Sequence, residues 1–481
     1  MSELSAKVTT ATKWSSITEI AAKLVTPIST MVLARVLTPE AFGVMVTATM
    51  VISFAEIFTD AGFQKYIVQH EFADEKSLFR STNVAFWSNL TMSLVIWLAI
   101  ILFSDKIAEL VGNKGYGNVI AVSCVCIPLA AFSSIQMAIY RRHFDYKTLF
   151  LVRMVGVAIP LVVTIPLALM LRSYWALIIG MIGLNLSNAV ILTVKSRWKP
   201  KLEYDFGLFK EMFAFTVWSL LEAILIWLTG YVDIFVVGRM LDEYYLGIYR
   251  TSMSTVGQFT GIITAATTTV LFSALSRLQT DRAEFSAMFF KFQKLVGLLI
   301  IPLGFGIFIF RDLIVDILLG SQWHDAAYFM GLWALTSAVT IVLSHYSSEV
   351  YRALGRPKLS AIVQISHIVV LVPVVLIAIR YGFETLCEAR AMVRLELILA
   401  NMIVMYAVIR ISCVKMMVNI LPELIAASGM LLILLLPKLP WYGEIGYIIL
   451  AIAIYIGLIC LFPKDRKILF NLKKYLKRNG H

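Results

Sequence analysis

The sequence predicts an all-α polytopic membrane protein of about fourteen transmembrane helices, with two parallel six-helix lobes and two extra C-terminal helices. Of the 481 residues, 59% are apolar and only 15% are charged, whereas soluble domains are typically ~45–50% apolar and ~25% charged. The mean hydropathy of +0.83 agrees with this class. Since the apolar residues also recur in runs long enough to cross a bilayer, soluble-enzyme classes are excluded.

Each predicted span is an apolar window close to the ~20 residues that a helix needs to cross a ~30 Å hydrocarbon layer. Backbone groups inside that layer must satisfy their own hydrogen bonds, and the windows lack the alternation of barrel strands. Helices are therefore predicted. The windows cover residues 14–33, 42–63, 83–103, 118–138, 151–171, 174–194, 212–237, 247–274, 292–310, 327–350, 359–379, 388–409, 419–436 and 445–462.

The positions of lysine and arginine predict the orientation of these spans. Most of the 42 basic residues lie at the N-terminus, in the even-numbered connections and in the C-terminal tail. Because cytoplasmic connections carry the excess of basic residues, both termini are expected in the cytoplasm. The basic tail after residue 463 is expected to rest on anionic lipid headgroups.

The net charge of +12 does not predict a nucleic-acid partner, because the basic residues are scattered among short connections. The five cysteines all lie in apolar runs, and the chain has no CxxC or HExxH pattern. Cys124 and Cys126 would lie on different faces of a helix, so they cannot chelate one metal. No metal and no cofactor is expected.

Two parts of the sequence repeat each other. Residues 34–43 align without gaps on residues 238–247, and each segment joins an odd-numbered span to the next. Tyr140-Arg141 likewise matches Tyr351-Arg352 after an even-numbered span. Spans 1–6 and 7–12 are therefore predicted to be parallel copies related by an axis along the membrane normal. The predicted units are an N-lobe (1–200), a C-lobe (201–416), two further helices (417–463) and a basic cytoplasmic tail (464–481).

Several motifs then carry a resemblance to a known family. ARVLTPEAFG at the first hairpin, VDIFVVGRMLDEYYLGIY at the second and YRALGRPK after span 10 keep a fixed order. With these motifs the chain resembles the Wzx-type polysaccharide/O-antigen flippases of the MOP exporter superfamily, nearest to the colanic acid exporter subgroup. The resemblance covers most of residues 10–410 and departs most from the family pattern in spans 12–14.

The resemblance implies a transporter and no enzymatic activity. The expected substrate is an oligosaccharide repeat unit linked to a polyprenyl pyrophosphate of the undecaprenyl type, flipped from the inner to the outer leaflet for surface polysaccharide synthesis. Alternating access through a cationic central cavity is the expected mechanism. Membrane lipids, and polymerase and chain-length proteins, are the further partners that the resemblance implies.

Ionisable side chains inside a span cost ~2.5–3.5 kcal/mol each and therefore point to functional sites. Lys23 in span 1 and Arg250 in span 8 are predicted to bind the pyrophosphate, since lysine provides a point charge and arginine bidentate contacts. From Arg250, small and polar residues follow at intervals of four and three along one helix face. Tight helix packing through small residues is the alternative interpretation of that stripe. The predicted substrate-binding residues are Lys23, Arg250, Arg394, Arg153, Trp218, Ser254 and Thr264.

Three carboxylates are predicted to carry a coupling ion, either H⁺ or Na⁺. Glu222 and Asp233 lie on one face of span 7, and a change in their occupancy would shift the preferred conformation. Glu19 is the third candidate. Because Glu19 precedes Lys23 by one helical turn, an internal ion pair is the alternative interpretation.

Two other charged pairs are noted at helical spacing. Glu56 and Asp60 lie near the cytoplasmic end of span 2 and are interpreted as interfacial and structural. Arg390 and Arg394 lie on one face of span 12. The other charged residues near the start of that span cannot all share this face, so several of them are expected at the external interface.

Two other functions compete with a flippase. An ion-coupled small-molecule antiporter of the drug-extrusion branch shares the twelve-span core, but that branch usually lacks spans 13 and 14. A membrane glycosyltransferase or polymerase is the second alternative. No connection exceeds about 20 residues, which leaves little room for the external loop that membrane polymerases usually need.

Overall fold

The computed structural model describes residues 3–60, 62–196, 198–356, 358–437, 439–463 and 465–468. Within these ranges all regular secondary structure is helical. Thirteen helices in the described part of the chain are long and apolar enough to cross a membrane. The predicted first span, residues 14–33, lies within a further helix of 34 residues. The prediction of an all-α polytopic membrane protein is therefore confirmed.

Fourteen helices match the fourteen predicted windows in order. They are α1 (Glu3–Val36), α2 (Pro39–Asp60), α3 (Glu75–Leu102), α4 (Gly117–Arg142), α5 (Tyr146–Leu171), α6 (Trp175–Lys195), α7 (Phe206–Met240), α8 (Glu243–Arg277), α9 (Arg282–Ile309), α10 (Ala326–Ala353), α11 (Lys358–Tyr381), α12 (Phe383–Ile409), α13 (Cys413–Leu435) and α14 (Trp441–Cys460).

Aspartates define where several helices begin. The Asp74 carboxylate accepts a hydrogen bond from the Ser77 backbone N–H at 2.7 Å at the start of α3. Asp205 and Asp281 accept comparable bonds at the starts of α7 and α9, at 2.8 and 2.9 Å. The first N–H groups of a helix have no partner within the helix, so an acidic cap supplies one. The bond from Ser77 also lowers the pKa of Asp74.

The chain forms two compact units, residues 1–250 and 251–481. The first unit contains α1–α7 and the first turns of α8, and one of its cores packs around Phe86, Ile135 and Trp198. The second unit has a large core formed by the later part of α8 with α9, α10, α12, α13 and α14. The lobes of residues 1–200 and 201–416 remain a prediction from the repeat.

In the first unit, the turn between α7 and α8 packs against the connection between α3 and α4. The Tyr116 hydroxyl donates a hydrogen bond to Glu243 Oε1 at 3.2 Å. Arg239 donates from its guanidinium to the backbone carbonyl of Glu109. Burial and the neighbouring Glu243 carboxylate raise the pKa of Tyr116.

The second unit contains a buried ionic triad. Lys294 Nζ on α9 lies 2.9 Å from Glu423 Oε2 on α13 and 2.8 Å from Asp465 Oδ1, which follows α14. The two carboxylate side chains are 0% and 2% exposed. Lys294 also donates to the Asn419 carbonyl at 2.7 Å. The last two helices are therefore held to α9 by charge pairs inside the protein as well as by apolar packing.

Candidate functional site

The first unit contains a polar cavity of about 540 Å³ between α2, α3, α4, α6 and α7. This volume lies within the ~300–1,000 Å³ that is typical of ligand sites. Amides, hydroxyls and three ionisable groups dominate the polar part of its lining. These residues are Ser53, Glu56, Thr59, Gln64, Lys65, Asn89, Ser133, Ser134, Arg141, Asn185 and Asn188.

A buried amide forms part of the inner wall of this polar cavity. The Asn89 side chain donates from Nδ2 to Ser134 Oγ at 2.7 Å, and the residue is 1% exposed. Its Oδ1 atom has no hydrogen-bond partner among the residues described. An unsatisfied buried acceptor costs ~1–3 kcal/mol. The bond from Asn89 to Ser134 therefore joins α3 to α4 at this wall.

The cations of the cavity lie together at one end of it. Lys65, in the short helix Phe63–Gln69, and Arg141, near the end of α4, are both exposed. Arg141 Nη1 donates to Gln64 Oε1 at 3.1 Å, which orients the guanidinium. The α4 lining runs from Ala130 to Arg141, roughly 16 Å of helix. The polar lining therefore extends from the exposed cations deep into the bundle.

An apolar groove of about 940 Å³ lies beside this cavity in the same unit. Its walls come from α2, α3, α7 and the short helix Ser104–Leu110 that follows α3. Six aromatic side chains contribute to an almost wholly apolar lining. They are Phe54, Phe58, Phe103, Phe213, Trp227 and Phe235.

Trp227 and Leu220 of α7 lie at the boundary between the polar cavity and the apolar groove. The indole Nε1–H of Trp227 donates to Ser53 Oγ at 3.0 Å, and Ser53 lines the polar cavity. The Trp227 ring contacts Phe54 of the groove, with centroids 4.8 Å apart. Leu220 lines both spaces. The polar and apolar spaces therefore share a wall.

Arg250, a predicted pyrophosphate ligand, lies near this wall. Its half-buried guanidinium is 5.7 Å from the ring centroid of Tyr231. Tyr231 in turn stacks on Trp227 at 5.2 Å. Of the other predicted cations in the first unit, Lys23 is half-buried on α1 and Arg153 is exposed on α5. The side chains of Glu19, Trp218 and Glu222 lie outside the described residues.

Asp233, a predicted coupling residue, is buried at 1% exposure. It accepts a hydrogen bond from the Tyr249 hydroxyl at 2.9 Å, which joins α7 to α8. The predicted sugar ligands further along α8 donate within their own helix. Ser254 Oγ bonds the Thr251 carbonyl at 3.1 Å, and Thr264 Oγ1 bonds the Gly261 carbonyl at 3.4 Å.

Arg394 lies in the second unit, against α10. Its guanidinium carbon is 4.0 Å from the ring centroid of Trp333, and the guanidinium donates to Ser337 Oγ. Arg390 contacts the same ring at 4.9 Å. Arg394 also lines a cavity of about 190 Å³ together with His345 and Asn401. The predicted alignment of the two arginines on α12 thus brings both to one aromatic ring.

None of the predicted residues whose side chains are described lines the 540 Å³ cavity. The predicted site contains no uncharged amide, although an amide in hydrocarbon also needs a partner. Asn89, Asn185 and Asn188 inside α3 and α6 were the available signal. Glu56, interpreted as interfacial, lines the cavity. Within the described ranges no group of three or more His, Cys, Asp or Glu could hold a metal.

The fold defines the class of protein. The fold matches a structure described as the lipid II flippase MurJ in an inward closed conformation, with a TM-score of 0.73 and 16% identity. The match covers 94% of this chain and 98% of the MurJ chain. An inward-facing multidrug resistance MATE transporter of the MOP superfamily matches over 82% of this chain and 95% of the other, with a TM-score of 0.60 and 15% identity. The chain is a multi-pass membrane protein with the fold of the MOP superfamily.

The sequence comparisons identify the family. A family model described as "Polysaccharide biosynthesis protein" matches residues 32–328, more than half of the chain. The chain belongs to this family, and its resemblance to the Wzx-type flippases is confirmed.

Two relatives carry names from polysaccharide export. The succinoglycan biosynthesis transport protein ExoT of Rhizobium meliloti (strain 1021) is 23% identical over 64% of this chain and 62% of its own length. The lipopolysaccharide biosynthesis protein WzxC of Escherichia coli (strain K12) is 21% identical over 65% of this chain and 63% of its own. The chain thus matches less than two thirds of the length of either relative.

Proposed function

We propose that this chain flips polyprenyl-pyrophosphate-linked oligosaccharide repeat units from the inner to the outer leaflet of a bacterial cytoplasmic membrane. The observation that carries the proposal is the polar cavity of the first unit, with amides along its wall, one of them buried, and cations at one end. Family membership and the names of the relatives support the same substrate class. The protein acts as a transporter and makes no covalent bond.

Sugars cannot cross a bilayer unaided, because moving one hydroxyl into alkane-like surroundings without a partner costs ~4–8 kcal/mol. The amides and hydroxyls of the cavity offer both donors and acceptors to a saccharide. Lys65 and Arg141 carry the charge that a pyrophosphate requires.

The positions of these cations also indicate the side of the membrane to which the cavity opens. Lys65 and Arg141 follow even-numbered spans and so belong to the side predicted to be cytoplasmic. On the opposite side of the same unit, Tyr116 and Arg239 hold the α7–α8 turn against the α3–α4 connection. We therefore assign the described cavity to the inward-facing step of an alternating-access cycle, with both termini in the cytoplasm.

Arg250, predicted from the sequence, is proposed to act at a later step of the same path. Arg250 contacts Tyr231, which stacks on Trp227 at the boundary of the cavity. Arg250 would therefore bind the pyrophosphate after Lys65 and Arg141 have bound it. Lys23, Arg153 and Arg394 remain proposed ligands, as do Trp218, Ser254 and Thr264. Asp233 is a coupling candidate together with Glu222 and Glu19.

The test uses a bacterial cell that makes a known polyprenyl-linked repeat unit but lacks its own flippase. Expression of this chain should restore outward exposure of the lipid-linked sugar, measured by labelling on each membrane face. Exposure should be lost with Lys65→Ala/Arg141→Ala while membrane levels hold. The matched control is Arg80→Ala, because Arg80 is an exposed cation that pairs with Asp205 and does not line the cavity.

The alternatives predict other outcomes in this test. No exposure with several different saccharides, together with ion-driven efflux of a small molecule, would assign the chain to the drug-type antiporters. New glycosidic bonds in the products would assign it to the membrane glycosyltransferases or polymerases. Full exposure with Lys65→Ala/Arg141→Ala would remove the cavity from the mechanism.

A further inference from the structure

We propose that the apolar groove of the first unit binds the isoprenoid chain of the lipid-linked saccharide while its headgroup occupies the polar cavity. This inference rests on the proposed function and adds a second part to the same binding site. The groove is lined by α2, α3, α7 and the short helix Ser104–Leu110.

The polar cavity and the apolar groove lie side by side, as the polar head and the apolar chain of an amphipathic ligand require. Leu220 lines both, and Trp227 forms a wall of the groove while its N–H bonds Ser53 of the cavity. Successive residues of α2 divide between them, with Ser53 in the cavity and Phe54 in the groove. A molecule with a polar head and an apolar chain can therefore enter both spaces without burying a polar group in the groove.

The length of the groove distinguishes its occupant from ordinary membrane lipid. Along α7 its lining runs from Phe213 to Phe235, roughly 33 Å of helix. This length is close to the full ~30 Å thickness of a hydrocarbon layer. An acyl chain of a phospholipid occupies one leaflet, which is half of that distance. A polyprenyl chain is long enough to use the whole groove.

The charge beside the groove agrees with the same ligand. The neighbouring cavity carries Lys65 and Arg141, which complement the pyrophosphate that joins an isoprenoid chain to its sugars. The groove itself presents aromatic faces and aliphatic side chains, against which an unsaturated, methyl-branched chain packs well. A full-thickness apolar path also lets the chain keep its contacts while the headgroup changes sides.

The first experiment cross-links the isoprenoid directly. The full chain is purified with the photoreactive residue p-benzoylphenylalanine in place of Phe103, which lines the groove, and is placed in vesicles of phosphatidylethanolamine and phosphatidylglycerol. The probe is radiolabelled undecaprenyl diphosphate without sugar. The control carries the same photoreactive residue in place of Leu98, which is 55% exposed near the end of α3 and outside the groove lining.

We expect labelling at position 103 that unlabelled undecaprenyl diphosphate abolishes and that added phosphatidylglycerol leaves unchanged, with only background at position 98. Equal labelling at both positions, or loss of label to phosphatidylglycerol, would show that bulk lipid fills the groove and would overturn the proposal.

A second pair of variants tests the groove by filling it. Ala99 is exposed on α3 and lines the groove, so Ala99→Trp obstructs it without overpacking the core. We expect loss of labelling at position 103 with Ala99→Trp and retained labelling with Leu98→Trp. Retained labelling with Ala99→Trp would count against the groove.

The two proposals fail separately. If position 103 is labelled specifically but wild-type protein restores no export of lipid-linked sugar, the proposed function fails and the isoprenoid site stands. If wild-type protein restores export and position 103 is not labelled specifically, the groove proposal fails alone.

Discussion

Gly43 packs so closely against Glu243 that a Cβ at position 43 would lie 1.8 Å from the Glu243 carbonyl oxygen. The relationship is reciprocal, because a Cβ on Gly247 would lie 1.9 Å from the Pro39 carbonyl oxygen. Gly43 and Gly247 occupy equivalent positions in the two repeated segments, as do Pro39 and Glu243. The starts of α2 and α8 therefore pack against each other as a self-complementary pair, as a local two-fold axis requires.

The reciprocal glycines give the first prediction. Replacing a helical glycine by alanine ordinarily stabilises by ~1 kcal/mol. Gly43→Ala should instead destabilise the purified protein by ~1–3 kcal/mol, because the new methyl group meets backbone that must shift. Thermal unfolding measures the difference. Gly230→Ala is the matched control, since a Cβ there meets nothing within 4 Å, and it should be neutral or stabilising. A Gly43→Ala protein as stable as wild type would show that the hairpins are not packed as described.

Asp233 and Tyr249 give a test of ion coupling. Asp233→Asn keeps an oxygen that can accept the bond from the Tyr249 hydroxyl but cannot carry a proton or a sodium charge. If Asp233 couples, sugar export in this variant should no longer respond to the H⁺ or Na⁺ gradient while thermal stability is retained. Asp242→Asn is the control, because Asp242 is exposed at the start of α8. An unchanged gradient response would leave Asp233 as a structural link between α7 and α8.

The buried triad predicts a large loss of stability. Lys294→Met leaves Glu423 and Asp465 without their ammonium partner inside the protein. Removing one partner of a buried ion pair costs ~3–5 kcal/mol, so membrane levels and the unfolding temperature should both fall. Lys294→Met/Glu423→Gln should recover part of the loss, because one of the two uncompensated charges is gone. A double variant no more stable than the single one would show that the charges do not interact.

Tyr66 predicts a pH dependence at high pH. Its hydroxyl donates to Glu211 Oε1 at 2.9 Å, and burial together with that carboxylate raises the pKa of Tyr66. Because the pKa of Tyr66 is raised in the folded state, the protonated hydroxyl stabilises the fold in full at any pH below ~10, the pKa of an unfolded tyrosine. This stabilisation is lost as the pH rises above that value. Tyr66→Phe should therefore lower the unfolding temperature at pH 7–9, and the difference from wild type should shrink above pH ~10. A difference that stays constant to pH 11 would contradict this.

The order of the membrane helices follows from the sequence because each apolar window carries its own signal. Hydropathy defines fourteen windows, and all fourteen helices fall at those positions. The spacing of Arg390 and Arg394 likewise predicts that they share a face, and both contact Trp333. These features are local, so a short stretch of chain determines each of them.

The polar cavity could not be predicted in the same way, because its lining comes from five helices. Asn89 on α3 meets Ser134 on α4 only once the rotation of both helices is known. Lys294 fell inside a predicted span, and its position gave no indication of the carboxylates on α13 and after α14. Tertiary packing determines such contacts, and neither hydropathy nor a count of charges predicts how the helices pack.

The triad also constrains how the chain can be made. Lys294 is synthesised roughly 170 residues before Asp465, which corresponds to a delay of roughly 10–35 s at ~5–20 residues per second. During that delay one of its two acidic partners does not yet exist. A nascent chain halted after α12 holds the ammonium with neither partner, so it exposes a defect that quality-control proteases can recognise. Folding of the second unit around Lys294 therefore depends on α13 and on the segment that follows α14.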